Sequence, residues 1–348
     1  VPLIPKRLAF ITPSASPSVR GNAITVERIA AGLADRGVRV AVFSLERLPL
    51  QATLGEVERF RPELVHGFHA TTGGPPALLL ARRLEIPAVV TLTGTDVNHD
   101  LADAERGPVV RRVLEGAEAL VAFHAVIRER VGKEVPAVAP RIRVIAQAVR
   151  CPAGAGNLRT RLGLGDGTVI FFQAAGIRPV KHIPSVIPPL AGLARRYPGL
   201  RYVLVGPVLD PAEGERVAAL LAPHPWAAYL GPVPHGEACA LLAGADVALN
   251  SSLSEGGMSN AVLEAMSLGV AVLASNIEGN RSVIADGEDG LLYGSEAEFA
   301  ARAERLIEEP ALRARLGGRA RRKIAERYPP EAEIEGHLAL YRSLLAGR

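Results

Sequence analysis

The chain has 348 residues, more than one ordinary core needs and comfortable for two. Apolar residues make up 48% and the 40 basic and 36 acidic residues nearly balance at a net +4, which excludes a disordered chain and leaves no basic block of the kind that grips nucleic acid. Aromatics are only 4%, too few for a platform on which single-stranded bases stack. In chain order, a short apolar run at residues 8–12 reads as a buried strand. Val26, Ile29, Ala30 and Leu33 then recur at helical spacing, and Gly37 closes that helix. Further strands are expected at residues 38–43, 63–66, 88–92, 119–123 and 143–145, with helical patterns between them. The strands are continuous apolar runs more than alternating ones, as in a parallel sheet covered on both faces. The class is therefore α/β, doubly wound.

The run CPAGAGN at 151–157 interrupts this rhythm with small residues and a proline, as a linker does. Strands resume at 168–172, 202–205, 228–230, 247–250, 270–274 and 290–293. The expected organisation is a first Rossmann-like domain over 1–150, a linker over 151–157 and a second Rossmann-like domain over 158–328. A final helix at 329–348 presents Ile334, Leu338, Tyr341 and Leu345 on one face, for which the first domain is one available surface. Two such domains facing across a cleft would point two sets of helix N-termini at a ligand.

Cys151 and Cys239 are the two cysteines. That number builds no disulfide framework, fits a reducing compartment, and with scattered histidines gives no expected metal cluster. No apolar run reaches the roughly 18–20 residues of a membrane span. VPLIPKRLAFITP leads into a strand without a cleavable signal pattern, so a cytoplasmic location is expected, with peripheral membrane contact left open.

The stretch NSSLSEGGMSNAVLEAMSLGVAVLA, residues 250–274, concentrates the chemistry. It reads as a strand at 247–250, a glycine loop, and a helix at 260–268 with Ser259 as N-cap and Gly269 as stop. Free N–H groups and the helix dipole at such a loop favour phosphate, and glycines permit close approach. Glu264, deeper in the helix, suits hydroxyls such as those of a ribose. A lone glutamate is more often simply solvated, but two with glycines and a serine-rich strand end favour a site. GLGDG at 163–167 precedes its strand, so it is a turn rather than a dinucleotide loop, and no P-loop occurs.

The segment SEGGMSNAVLEAMSLGVAVLAS resembles the signature of retaining glycosyltransferases of family 4, which have the two-domain GT-B fold. GNAITVERIAAGLADRGVRVAVF, GIRPVKHIP, YLGPVPHGE and NIEGNRSVIADGEDGLLY follow in that family's order, so the resemblance spans almost the whole chain. ASNIEGN and NSSLSEG are also similar to the branch called glycosyltransferase 1 domain-containing proteins. The resemblance implies a metal-independent transfer of a hexose, from a nucleotide sugar such as a UDP- or GDP-hexose, to an acceptor hydroxyl, with no further cofactor. It implies that Arg178 and Lys181 clamp the diphosphate, that Glu255 lies near the transferred sugar, and that Glu264 holds the ribose. Gly256, Gly257, Met258, Ser259 and Asn260 would line the donor, Val233 would touch the base through its backbone, and Gly21 would approach the phosphate from the first domain. As loop residues without a core role, Arg178 and Lys181 should be replaceable by alanine without harm to the fold.

Three departures stand out. Eight residues separate Glu255 from Glu264, one more than the family's pattern. Thr93 stands where many members have a histidine that touches the sugar; His66 and His69 are candidates to replace it, and are equally readable as structural histidines. Ser282 stands in place of an acid, with Asn280 nearby to take over a polar contact. A nucleotide-sugar epimerase of the same fold and a degenerate protein that binds without turnover are the competing readings.

Overall fold

The computed structural model describes residues 5–15, 21–152, 154, 157–165, 167–255 and 257–346. The chain divides into two compact units, Val1–Ala148 with Tyr328–Arg348, and Val149–Arg327.

The first unit holds a six-stranded parallel sheet: β1 (Arg7–Thr12), β2 (Arg39–Ser44), β3 (Leu64–Phe68), β4 (Ala88–Leu92), β5 (Ala119–Ala122) and β6 (Ile142–Val144), in the order β2-β1-β3-β4-β5-β6. β3, β4 and β5 are buried along their whole length, which is why they read as unbroken apolar runs. The helix Gly21–Ala34 buries Ala23, Val26, Ile29 and Leu33 on the sheet, and Gly37 turns the chain in a left-handed conformation at φ 81°. The last helix, Pro330–Ala346, completes this unit. Its Ile334, Leu338 and Tyr341 join the core of Phe10, Ile29 and Phe68. Arg28 donates two hydrogen bonds to the Glu333 carboxylate, at 2.8 and 2.9 Å.

The second unit is also a six-stranded parallel sheet: β7 (Val169–Ala174), β8 (Leu200–Val205), β9 (Ala227–Tyr229), β10 (Val247–Asn250), β11 (Ala271–Ser275) and β12 (Leu291–Tyr293). The order is β12-β11-β10-β7-β8-β9, with Val247 paired to Phe171 on one side and to Ala271 on the other. Its core gathers Phe171, Tyr202, Leu249 and Leu273 from the sheet with Leu190, Phe299 and Leu316 from the helices. Among the described residues no helix is long and apolar enough to cross a membrane.

Candidate active site

In the second unit β7 and β10 are neighbours, yet β8 lies outside β7 and β11 outside β10. The chain winds away from this pair in both directions, and such a reversal opens a crevice at the carboxyl ends of the two strands. Arg178 and Lys181 follow β7, and Ser251 to Glu255 follow β10. Lys181 Nζ lies 2.5 Å from Glu255 Oε1, with the two side chains 18% and 13% exposed. The same oxygen accepts from Ser252 Oγ at 2.7 Å and from Asn250 Nδ2 at 3.2 Å. Burial alone would push the Glu255 carboxyl up; the Lys181 charge and these donors outweigh it and hold the group below the usual carboxylate range. Glu255 is therefore ionised at neutral pH.

The hydroxyl cluster at the end of β10 holds this pair in place. Ser251 Oγ donates to the Lys181 carbonyl at 2.7 Å, and the Leu253 amide to the Val180 carbonyl at 2.9 Å. Behind them, Tyr202 donates to Gln173 Oε1 and Gln173 Nε2 to Ser251 Oγ, both at 2.8 Å in the core. On the other flank Asn250 Nδ2 donates to Ser259 Oγ at 3.0 Å, and Ser275 Oγ to the Ser252 carbonyl at 2.6 Å. Gly279 backs the loop so closely that a Cβ there would sit 2.6 Å from the Gly257 oxygen and 2.7 Å from Glu255 Cβ. Serines, asparagines and bare glycines thus stand together because two loops must be fastened to each other and to a third.

Ser259 occupies the N-cap position of helix Asn260–Leu268 but makes no side-chain cap; its hydroxyl is turned to Asn250 instead. Gly269 ends the helix in the left-handed conformation expected of it. Glu264 is buried, at 7% exposure, instead of lying on a solvated face. Its Oε1 is 2.7 Å from His235 Nε2, and Cys239 Sγ is 3.6 Å from the same nitrogen. The sequence expectation of no metal-ligand cluster fails here, since the ligand atoms of His235, Cys239 and Glu264 all lie within 4.8 Å of one another. Contact with Cys151, burial and the Glu264 charge push the Cys239 thiol far up, so it stays protonated when unliganded. His235 lies in the YLGPVPHGE motif; its spacing to Cys239, one helical turn, was the available signal, but nothing in sequence ties that turn to Glu264.

Other candidates are scattered. Arg178 is exposed, so unlike Lys181 it is not held in the crevice wall. Lys181 is not a bystander of the fold, contrary to the expectation for both, since it compensates a half-buried carboxylate. Met258 and Ser259 are buried, Asn260 opens the helix, and Val233 is half-buried in the loop after β9. Gly257 is buried in the loop, while Gly256 lies outside the described residues. Asn280 is fully buried; its Nδ2 donates to the Ser275 carbonyl and to Asn250 Oδ1, so it braces β10 and β11.

In the first unit Gly21 starts its helix, exposed. His66 is unsuited to a ligand: it is fully buried, with Nδ1 2.7 Å from Tyr341 Oη and Nε2 2.7 Å from Thr91 Oγ1. His69, directly after β3, sits at that sheet's own reversal between β1 and β3, and is half-buried. Its φ of 74° is rare for a side-chain-bearing residue, and it begins a wide π-type turn over His69–Gly73, a feature common at functional sites. Thr93 donates its amide to Asp96 at 3.2 Å. That buried Asp96 also accepts from the amides of Ala70 and Gly94, at 2.8 and 2.6 Å, tying the loops after β3 and β4 together. Sequence reading passed over Asp96, although TGTD at a strand's end was the signal.

Residues 156–323 match the family described as glycosyl transferases group 1, and residues 44–148 match the glycosyl transferase 4-like domain. Glycosyltransferase 1 domain-containing protein 1 of Xenopus tropicalis is 29% identical over 275 residues, 74% of this chain and 77% of that protein. The D-inositol 3-phosphate glycosyltransferase of Frankia alni is 28% identical over 82% of this chain and 75% of its own length. Anabaena HepE, solved in complex with UDP and glucose, superposes with a TM-score of 0.80 at 16% identity, over 97% of this chain and all of that one.

Proposed function

The chain belongs to the group 1 glycosyl transferases and has the GT-B fold, and from that premise we propose that it moves a hexose from a nucleotide diphosphate sugar to an acceptor hydroxyl, without a metal ion and with retention of the anomeric configuration. The observation that carries the reading is the Lys181–Glu255 pair at the carboxyl ends of β7 and β10, where the strand order reverses. A leaving nucleoside diphosphate gains negative charge as the glycosidic bond breaks. Lys181 supplies fixed positive charge for it, and the exposed Arg178 swings in to add a second cation. Glu255, held ionised, has no proton to give and so serves as a hydrogen-bond acceptor for sugar hydroxyls. Glu264 accepts from ribose hydroxyls, and the backbone from Gly257 to Asn260 lies along the phosphates and sugar. With no strong base in this set, attack on the same face of the sugar, assisted by the departing phosphate, is the step we assign. The protein's part is orientation and charge.

The UDP and glucose bound by HepE make a UDP-hexose the first donor to try. The purified protein is screened by thermal shift against UDP, GDP, ADP, TDP and CDP, with and without magnesium. One of them, at about a hundred times its dissociation constant, should add roughly 2.7 kcal/mol of apparent stability, with or without the metal. Its hexose esters are then tested for transfer, with the anomeric configuration of the product read by NMR. Stabilisation only with magnesium, or an inverted product, would overturn the corresponding part of the reading.

A further inference from the structure

We propose that His235, Cys239 and Glu264 form a binding site for a zinc-class divalent cation, and that occupancy of this site displaces the nucleotide donor. His235 and Cys239 lie four residues apart, one turn along helix His235–Ala243, and Glu264 projects from helix Asn260–Leu268. The three ligand atoms come from a nitrogen, a sulfur and a carboxylate oxygen, the mixture that zinc accepts. The nitrogen–sulfur spacing is near that of a coordination tetrahedron. Bonds of about 2.0 Å to nitrogen and 2.3 Å to sulfur at a tetrahedral angle put N and S about 3.5 Å apart. Cys239 Sγ and His235 Nε2 are 3.6 Å apart. The His235–Glu264 pair, now hydrogen-bonded at 2.7 Å, has to open by roughly half an ångström to admit the ion.

The site is built rather than incidental. Cys239 and Glu264 are 3% and 7% exposed, and His235 is half-buried between them and solvent, which leaves an entry path. With three protein ligands the fourth position remains for water.

The second half of the inference rests on the assignment of Glu264 to the ribose. A cation on Glu264 Oε1 neutralises the carboxylate and leaves only its second oxygen for ribose hydroxyls, so cation and donor compete for the same group. The transfer itself needs no metal; the cation would act as an inhibitor.

The test uses metal-free protein kept reduced with a phosphine. Cobalt is titrated as a spectroscopic stand-in for zinc. One equivalent should give a thiolate-to-cobalt charge-transfer band in the wild type, bleached by one equivalent of zinc. Cys239→Ser should abolish the band, and His235→Gln should weaken zinc binding at least tenfold. No band in the wild type, or a band unchanged in Cys239→Ser, would overturn the site; the wild-type spectrum decides even if a variant folds poorly. Zinc should then reduce the thermal shift given by the stabilising nucleotide in the wild type and leave it in Cys239→Ser. Because the nucleotide itself chelates zinc, an equal loss in both proteins would overturn the competition. If no nucleotide shifts the protein even without zinc, the donor reading fails on its own, and the cobalt band still decides the metal site.

Discussion

At the scale of the residue, Lys181 and Glu255 matter most, because each changes what the other can do. Removing the lysine leaves an ionised, largely enclosed carboxylate with only neutral donors, a change that costs about 3 kcal/mol for a fully buried pair and less for one this close to solvent. Lys181→Ala should therefore lower the melting temperature as well as turnover, and Lys181→Ala/Glu255→Gln should regain much of the stability without the turnover. Calorimetry of the wild type, the two single variants and the double variant checks this; a Lys181→Ala protein as stable as the wild type would show that the pair is solvated. Glu264→Ala should weaken nucleoside diphosphate binding at least tenfold, since hydrogen bonds to a charged group are worth about 1.5–3 kcal/mol. Calorimetric titration with the stabilising nucleotide measures it. Both glutamates were legible in the sequence as a pair around glycines. Their immediate partners were not: Lys181 is 74 positions from Glu255 and His235 is 29 from Glu264, and only the folded sheet brings them within bonding distance. His66 shows the converse. A histidine at a strand's end reads equally as ligand or scaffold, and its burial against Tyr341, from the far end of the chain, decides for scaffold.

At the scale of the element, the strands were the most readable part. All twelve lie within two residues of where their apolar runs place them; in those buried along their length, such as β3, β4, β5, β10 and β11, every residue carries the signal. The loops at their carboxyl ends were less readable, since their conformation is set by contacts between loops. Ser259 has an N-cap's identity and position, yet Asn250 claims its hydroxyl. Gly279 is required by its neighbours, not by its own backbone angles: Glu255 and Gly257 lie where a Cβ would go. Gly279→Ala should thus displace that loop, costing about 1–3 kcal/mol of stability and a larger share of turnover than of nucleotide affinity. Kinetics and binding on the same preparation separate these effects, and a variant with wild-type kinetics would mean the loop yields freely.

At the scale of the whole molecule, the first unit carries a pH dependence of its own. His66 is held well below its ordinary value by burial and by the neighbouring His337. His337, buried with Glu333 raising it and Arg28 lowering it, is pushed down to about 4. In the unfolded chain both protonate near pH 6.5. Stability is therefore complete above that pH and falls as acid drives protons onto the unfolded chain, until the folded groups also titrate. For His337 alone the loss between about pH 6.5 and 4 amounts to roughly 3 kcal/mol. Urea unfolding at pH 7.5 and pH 5 should show the decline, and His337→Gln should flatten it.

That unit is also discontinuous in the chain: Tyr328–Arg348 belong with Val1–Ala148, and the whole of Val149–Arg327 is made in between. On the ribosome, the order in which the units are finished is therefore the reverse of the order in which they are begun. The first sheet emerges early but lacks Tyr341, Leu338 and Glu333, so Phe10, His66 and the Arg28 guanidinium wait uncovered while a complete second unit is synthesised. The nascent chain's exposed apolar surface lies in the part made before residue 149, and a chaperone that guards this protein would have to hold that part until helix Pro330–Ala346 arrives.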